Sequence, residues 1–284
     1  MELPVLIGVI HLPNLREKAL RRDVDSLVSF VEAEARVFAE AGFDGVIVEN
    51  FGDAPYAKRV VEPELLGLIS IALYTAKRVF SGSVGLNILR CSAVEAYRIA
   101  YALGARFIRV NAFVETLATE SGLIEPLAPS LAELRLAMPG VAVFGDILCK
   151  HSGSIDFVAR VFTRIAQSLG GEPLGEAVKE SLRELVVDAV ERGALDAVIV
   201  TGGRTGEAPP LDFVKFVKSV STKPVYLGSG AAPENIVNYM RFCSGVIVGS
   251  YVKKGGRAGN PTDLERARRF AKAFREAVKR AEVA

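Results

Sequence analysis

Pro224-Val-Tyr-Leu-Gly-Ser-Gly-Ala-Ala-Pro-Glu-Asn235 and, one short turn later, Gly245-Val-Ile-Val-Gly-Ser250 are the stretch whose reading decides the fold. Each is a short apolar run that ends in Gly-Ser. Glycine lets the backbone turn with its N–H groups bare, and Pro233-Glu234-Asn235 reads as the opening of a helix whose N-terminal amides and dipole favour an anion. Two such cups, Gly228, Ser229 and Gly230 in one and Gly249 and Ser250 in the other, make a phosphate-binding site. In a closed barrel of eight strand–helix units that site recurs on the loops after strands seven and eight. The upstream chain should then supply six more units.

It does so by pattern. Val5–Leu12 is a continuous apolar run, and Val24–Ala41 is apolar at helical spacing until Gly42 stops it. The same strand-then-helix rhythm follows in Asp44–Asn50 with Glu64–Phe80, Val84–Leu89 with Ala93–Leu103, and Arg106–Asn111 with Pro129–Met138. Val141–Leu148 precedes a long helical region ending near Arg192, and Ala197–Thr201 precedes Leu211–Val220. Apolar strands separated by helices imply a parallel sheet covered by helices, and eight units favour closure. The expected fold is α/β, a single (β/α)8 TIM barrel over residues 1–284. A doubly wound sheet is the alternative, weakened because the first strand lacks a Gly-x-Gly-x-x-Gly turn. Between His151 and Asp196 there is room for two helices, with Ile155, Val158, Phe162, Ile165 and Leu169 on one stripe and Gly170-Gly171-Glu172-Pro173 as a break. This helical insertion, 152–173 in the loop after strand five, is expected to pack on the barrel rim, with an active-site lid or a subunit contact as alternatives.

Composition narrows the function classes. The 35 basic and 33 acidic residues are interleaved and leave a net charge of +2, so nucleic acid is not an expected partner. No apolar run is long enough to span a membrane, and Met1-Glu2-Leu3-Pro4 does not read as a signal peptide, so we expect a soluble, cytoplasmic protein, not inserted in a membrane. Cys91, Cys149 and Cys243 are odd in number and widely spaced, which indicates neither disulfides nor a zinc site. The single glutamine, Gln167, the absence of tryptophan and the abundance of arginine are compatible with a hot source.

Strand parity sorts the polar residues, because alternate side chains face the barrel interior. His11, Glu49, Asn87, Arg109, Asn111, Asp146 and Thr201 all fall inward near strand C-termini, the face where barrel enzymes do their chemistry, and Lys150 would share their side only if the alternation of strand five runs on past Leu148. His151 follows directly, and the loop Thr201-Gly202-Gly203-Arg204-Thr205-Gly206 offers Arg204 to an anion. The expected catalytic set is Asp146, Glu49, Arg109 and His151. His11, Asn87, Asn111, Lys150, Thr201 and Arg204 are expected to bind substrate. The bland alternative is a polar plug in which Arg109 neutralises a carboxylate. A metal held by Asp146, His151 and Glu49 has no recognisable ligand spacing, so neither a metal nor another cofactor is expected.

Jointly, Ile7-Gly-Val-Ile-His-Leu-Pro13, Gly45-Val-Ile-Val-Glu-Asn-Phe-Gly-Asp53, Gly85-Leu-Asn-Ile-Leu-Arg90, Phe107-Ile-Arg-Val-Asn111, Lys150-His151, Thr201-Gly202, Thr205-Gly206, Gly228-Ser-Gly230, Glu234-Asn235, Val248-Gly-Ser250 and Asn260-Pro261 resemble the BtpA/SgcQ family of barrel proteins. The resemblance runs from about Ile7 to Phe270. It implies kinship with ribulose-phosphate-binding barrels, with one branch tied to photosystem I biogenesis and others resembling enzymes or nucleosidases. The segment after His151 is longer than the family's, and Cys91 stands where a polar residue is expected. Two functions are therefore carried forward. One is an enzyme acting on a sugar phosphate, nucleoside or nucleotide by acid–base chemistry (an isomerase, lyase or hydrolase), with Asp146 as its principal acid–base residue and Arg109 as electrostatic partner. The other is a non-enzymatic assembly or stability factor for a membrane complex, and a homo-oligomer is open in either case.

Overall fold

The computed structural model describes residues 5–169 and 171–283, and the readings that fall on Met1–Pro4 and on Gly170 lie outside them. The elements in chain order are β1 (Leu6–His11), α1 (Leu15–Arg21), α2 (Val24–Glu40), β2 (Gly45–Glu49), α3 (Pro63–Val79), β3 (Ser83–Asn87), α4 (Ala93–Leu103), β4 (Phe107–Val110), β5 (Leu117–Thr119), β6 (Gly122–Ile124), α5 (Ala128–Ala137), β7 (Ala142–Ile147), β8 (Gly153–Ser154), α6 (Ile155–Gln167), α7 (Leu174–Val187), β9 (Ala197–Val200), α8 (Leu211–Val220), β10 (Val225–Leu227), α9 (Ile236–Tyr239), β11 (Gly245–Val248) and α10 (Leu264–Val283).

Eight parallel strands close into a barrel in the order β1-β11-β10-β9-β7-β4-β3-β2, so the chain is a TIM barrel. Parity holds around the ring. Ile7, Val9, Ile47, Phe107, Phe144, Ile199, Tyr226 and Ile247 fill the interior, where the Phe144 ring lies 4.7 Å from that of Phe107 and 5.0 Å from that of Tyr226. Their sequence neighbours, such as Ile10, Val46, Val48, Ile108 and Val143, belong to the larger core between strands and helices. Register then stacks polar side chains in one row at the barrel's C-terminal end, with His11 beside Glu49 and Glu49 beside Asn87.

Two features depart from the sequence reading. The loop after β4 folds into the β5–β6 hairpin, which pairs antiparallel with β8 to make a three-stranded sheet over the barrel rim. The strands are two or three residues long, too short for periodicity to register. The insertion does form α6, but that helix does not bury its stripe: only Val161 is buried, while Val158 and Phe162 are 53% and 66% exposed. Arg160 and Arg164 turn the other way, pairing with Asp188, Glu184 and Glu172, so α6 is fastened to α7 by ions and leaves its apolar side outward.

Candidate functional site

A cleft of about 750 Å³ opens at the C-terminal mouth of the barrel. His11 and Glu49 sit on its floor at the ends of β1 and β2, with His11 Nε2 3.9 Å from Glu49 Oε1. Burial, then Lys253, Lys150 and Arg109, hold the His11 pKa well below the ordinary imidazole value, so the ring is neutral. Gly259 N–H donates to His11 Nδ1 at 3.2 Å, which leaves the proton on Nε2, facing Glu49 and the cleft. Glu49 is held from behind, where Asn87 Nδ2 donates to its Oε2 at 2.8 Å.

On the next strands Arg109 and Asp146 form a buried fork, Nε to Oδ1 at 3.1 Å and Nη2 to Oδ2 at 3.0 Å. Asn111 Nδ2 donates to Asp146 Oδ2 at 2.7 Å and Cys149 Sγ donates to the same oxygen at 3.1 Å. Asp146 thus takes four donors, is 1% exposed and does not line the cleft, whereas Arg109 and Asn111 do. Asn111 Oδ1 is buried and has no hydrogen-bond partner among the described residues. The Nδ2 bond to a carboxylate fixes the amide orientation, so a donor is missing on the oxygen side. Lys150 also lines the cleft. Its backbone N–H donates to Thr201 Oγ1 at 3.0 Å, while its ammonium has no hydrogen bond or ion pair among the described residues. Burial first and Arg109 second push the Lys150 amine down from its usual range.

The far wall is the pair of glycine loops. Among the described residues, the amides of Ser229, Gly230, Ala231, Ser250 and Tyr251 donate no intramolecular hydrogen bond, and all five residues line the cleft. Ser229 instead spends its hydroxyl on scaffolding: it accepts from Gly202 N–H at 3.0 Å and donates to Glu207 C=O at 2.8 Å. Gly228 N–H is used in the sheet, donating to Val200 C=O. Gly230 has φ +70°, and a Cβ there would lie 2.0 Å from the Ala208 nitrogen, so no other residue fits. The helix expected to open at Pro233 is the single turn α9, too short to supply a helix-dipole site, and bare loop amides stand in for it.

A cation absent from the sequence reading completes this wall. Arg266, from the first turn of α10, donates through Nε to Tyr251 C=O at 2.6 Å and lies over the Tyr251 ring, 4.5 Å from its centroid. No carboxylate pairs with its guanidinium among the described residues, and it lines the cleft. The loop that carries Gly249 to Tyr251 is anchored by a buried cluster: Lys253 Nζ donates to Glu34 Oε2 at 2.7 Å and to Thr262 Oγ1 at 2.8 Å.

Of the residues expected from sequence, His11, Glu49, Arg109, Asn111, Lys150, His151, Gly228, Ser229, Gly230, Gly249 and Ser250 line this one cleft. Asn87, Asp146 and Thr201 lie behind those that do, each holding a neighbour in place. Arg204 is exposed and outside the lining; its neighbour Thr205 reaches in and is tied to His151, whose Nε2 accepts from the Thr205 amide at 3.1 Å. Arg90, bonded to Glu120, and Tyr56 also line the cleft. They follow strands rather than ending them, so parity gave no signal for them. Among the described residues no group of three or more His, Cys, Asp or Glu side chains is placed to hold a metal ion, and no helix is long and apolar enough to cross a membrane.

Comparison with known proteins agrees with the fold. An uncharacterized protein of Pyrococcus horikoshii is 37% identical, the match covering 94% of each chain. The photosystem I biogenesis protein BtpA of Synechocystis is 34% identical over 96% of this chain and 89% of its own. In fold the chain resembles other solved barrels. Thiamine phosphate pyrophosphorylase from Pyrococcus furiosus has a TM-score of 0.53 at 13% identity, the match covering 98% of this chain and 96% of that one. Geranylgeranylglyceryl phosphate synthase from Thermoplasma acidophilum, solved with sn-glycerol-1-phosphate, has a TM-score of 0.54 at 13% identity, covering 96% and 93%. The family model for BtpA matches residues 2–276, nearly the whole barrel and every element that builds the cleft, and the chain belongs to the BtpA family.

Proposed function

We propose that the cleft binds a phosphorylated sugar or nucleotide-like small molecule and moves a proton on it, with the phosphate on the loops after β10 and β11. The observation that carries this reading is the set of unpartnered amides at Ser229–Ala231 and Ser250–Tyr251 beside the uncompensated Arg266. Bare N–H groups and a guanidinium in a concave wall suit a phosphate dianion. The structures resembled in fold include proteins named for phosphorylated compounds, which is consistent with it.

The reacting end of the ligand then falls near Glu49. What supports giving the proton-moving role to Glu49, rather than to Asp146, is access: Glu49 lines the cleft with Oε1 turned to the neutral Nε2–H of His11. A carboxylate beside a neutral imidazole donor is the arrangement for abstracting a proton next to a carbonyl, the imidazole steadying the oxygen that gains charge. Arg109 adds fixed positive charge, and Asp146 with Asn111 positions it. Asn111 Oδ1 is free to accept from a ligand hydroxyl. An isomerase or lyase of a sugar phosphate in the cytoplasm fits these roles best.

The test is a thermal-shift and calorimetric titration of the full chain with inorganic phosphate, ribose 5-phosphate and glycerol 1-phosphate. A ligand at a hundred times its Kd should add about 2.7 kcal/mol to the unfolding free energy. The effect should shrink strongly in Arg266→Ala. No stabilisation by any of the three at millimolar concentration would refute the reading.

One observation favours a second reading. The outward apolar face of α6, with Val158 and Phe162 exposed, is what an assembly factor or a subunit contact requires, and a family relative is named for photosystem I biogenesis. Under it, Phe162→Ser would abolish association while leaving phosphate binding intact.

A further inference from the structure

Lys150 differs from the other cations of the cleft in having nothing to hold. Arg109 is forked onto Asp146, Arg90 onto Glu120 and Arg266 donates to Tyr251 C=O, whereas the Lys150 ammonium meets no acceptor among the described residues. A lysine kept only to attract an anion would stand at the phosphate wall, where Arg266 already does so. It stands instead where the ligand's reacting end would fall, with Glu49, neutral His11 and the unfilled acceptor Asn111 Oδ1 around the same space. We propose that Lys150 is a catalytic nucleophile that forms an imine with the carbonyl carbon of a phosphorylated aldose or ketose. This rests on the reading of the cleft as a phosphorylated-sugar site.

The step balances without an oxidant or reductant. The neutral Nζ attacks the carbonyl carbon, its C–O π pair moves to oxygen, and one amine proton passes to that oxygen by way of Glu49, giving a carbinolamine. The C–O bond then breaks as the oxygen takes a second proton, drawn from solvent by way of Glu49, the nitrogen lone pair forms the C=N bond of an iminium that keeps its remaining N–H, and one water leaves. His11 Nε2–H is placed to steady the oxygen before it departs. The resulting iminium draws electrons from the neighbouring carbon, which makes proton removal by Glu49 easier than from the free ketone.

The amine must be unprotonated for this, and its surroundings favour that. Burial is the largest influence, Arg109 on β4 opposes a second positive charge, and Glu49 on β2, Cys149 and Asp146 on the Lys150 segment act in the other direction. His11 on β1 is neutral, and His151 next in sequence is held as an acceptor by the Thr205 amide. The net effect is a lysine more reactive near neutral pH than one on the surface.

The full chain is incubated with dihydroxyacetone phosphate and separately with ribulose 5-phosphate, reduced with borohydride, and mapped by mass spectrometry. The expected result is a mass gain equal to the compound less one oxygen, confined to Lys150 and absent in Lys150→Arg, while both forms are still stabilised by inorganic phosphate. Stabilisation by either sugar phosphate with no adduct at Lys150 overturns the imine and leaves the phosphate site standing; no stabilisation by inorganic phosphate or by either sugar phosphate overturns both. A second measurement needs no substrate: pulses of acetic anhydride across pH should show Lys150 reaching half its maximal reactivity well below exposed lysines such as Lys179. A Lys150 that titrates with the surface lysines overturns the proposal.

Discussion

Asp146→Asn keeps the shape of the side chain and removes its charge, so it asks directly what the carboxylate is for. Four donors converge on it: two from Arg109, one from Asn111 and the Cys149 thiol. An asparagine offers one oxygen and presents its own NH2 to the rest, so at least one of the Arg109 contacts becomes donor against donor. Burial opposes the Arg109 charge and Asp146 is the largest influence supporting it, with Glu49 next, so the substitution leaves a guanidinium that cannot shed its proton supported by Glu49 alone. Leaving a buried cation without its partner costs roughly 3–5 kcal/mol. At about 2–4 °C per kcal/mol for a chain of this size class, melting should fall by roughly 10 °C. Differential scanning calorimetry of the full chain measures this. Arg109→Met in the same protein should recover part of the loss, because removing both members of a buried pair is far milder than removing one. If Asp146→Asn unfolds within about 1 kcal/mol of the parent with the barrel intact, the anchoring role fails and the carboxylate is wet enough to be the acid–base group itself.

Three other outcomes follow from the same geometry. His11 is buried neutral with a folded pKa below its unfolded value near 6.5, so its contribution is present above that pH and lost as pH falls below it, at up to about 1.4 kcal/mol per pH unit; His11→Gln should flatten the stability curve between pH 6.5 and 5 in paired denaturant titrations, and an unchanged slope would refute a neutral His11. Glu34→Gln strips the counter-charge from the fully buried Lys253, and urea unfolding should show a loss of about 3 kcal/mol or more together with weaker phosphate binding; full stability would mean the cluster does not hold the loop. Gly230→Ala places a Cβ against the Ala208 backbone at φ +70°, so phosphate binding should be lost with a stability cost of at least about 1 kcal/mol, and retained binding would remove that loop from the site.

How much of this was legible beforehand depends on the range over which each signal acts. The barrel was, because closure rests on eight apolar runs whose parity is a local property: Ile7 and Val9 inside and Ile10 outside follow from alternation alone. The polar row at the mouth was legible for the same reason. What parity cannot give is depth. Glu49 and Asp146 are both inward, yet one meets the cleft and the other lies beneath Arg109, since that depends on which longer side chain folds over it. Arg266 was hidden because it sits on a helix, where an arginine reads as solvated surface until the Tyr251 ring is known to lie beneath it. The stripe on α6 is visible in the spacing, but the pattern says only that the residues share a side, and the ion pairs of Arg160 and Arg164 decide that the side is outward.

The seam between β1 and β11 has a consequence for synthesis. The His11 ring accepts its hydrogen bond from the Gly259 backbone N–H, and Glu34 on the second helix waits for Lys253 and Thr262. On the ribosome, therefore, most of the chain emerges before β1 has its second neighbour, and until then β1 and β10 are bare strand edges of the kind that recruit other chains. The nascent protein is most exposed to misassembly just before its last strand appears. The wall of bare loop amides and the burial of His11 are completed together, in the final step of closure.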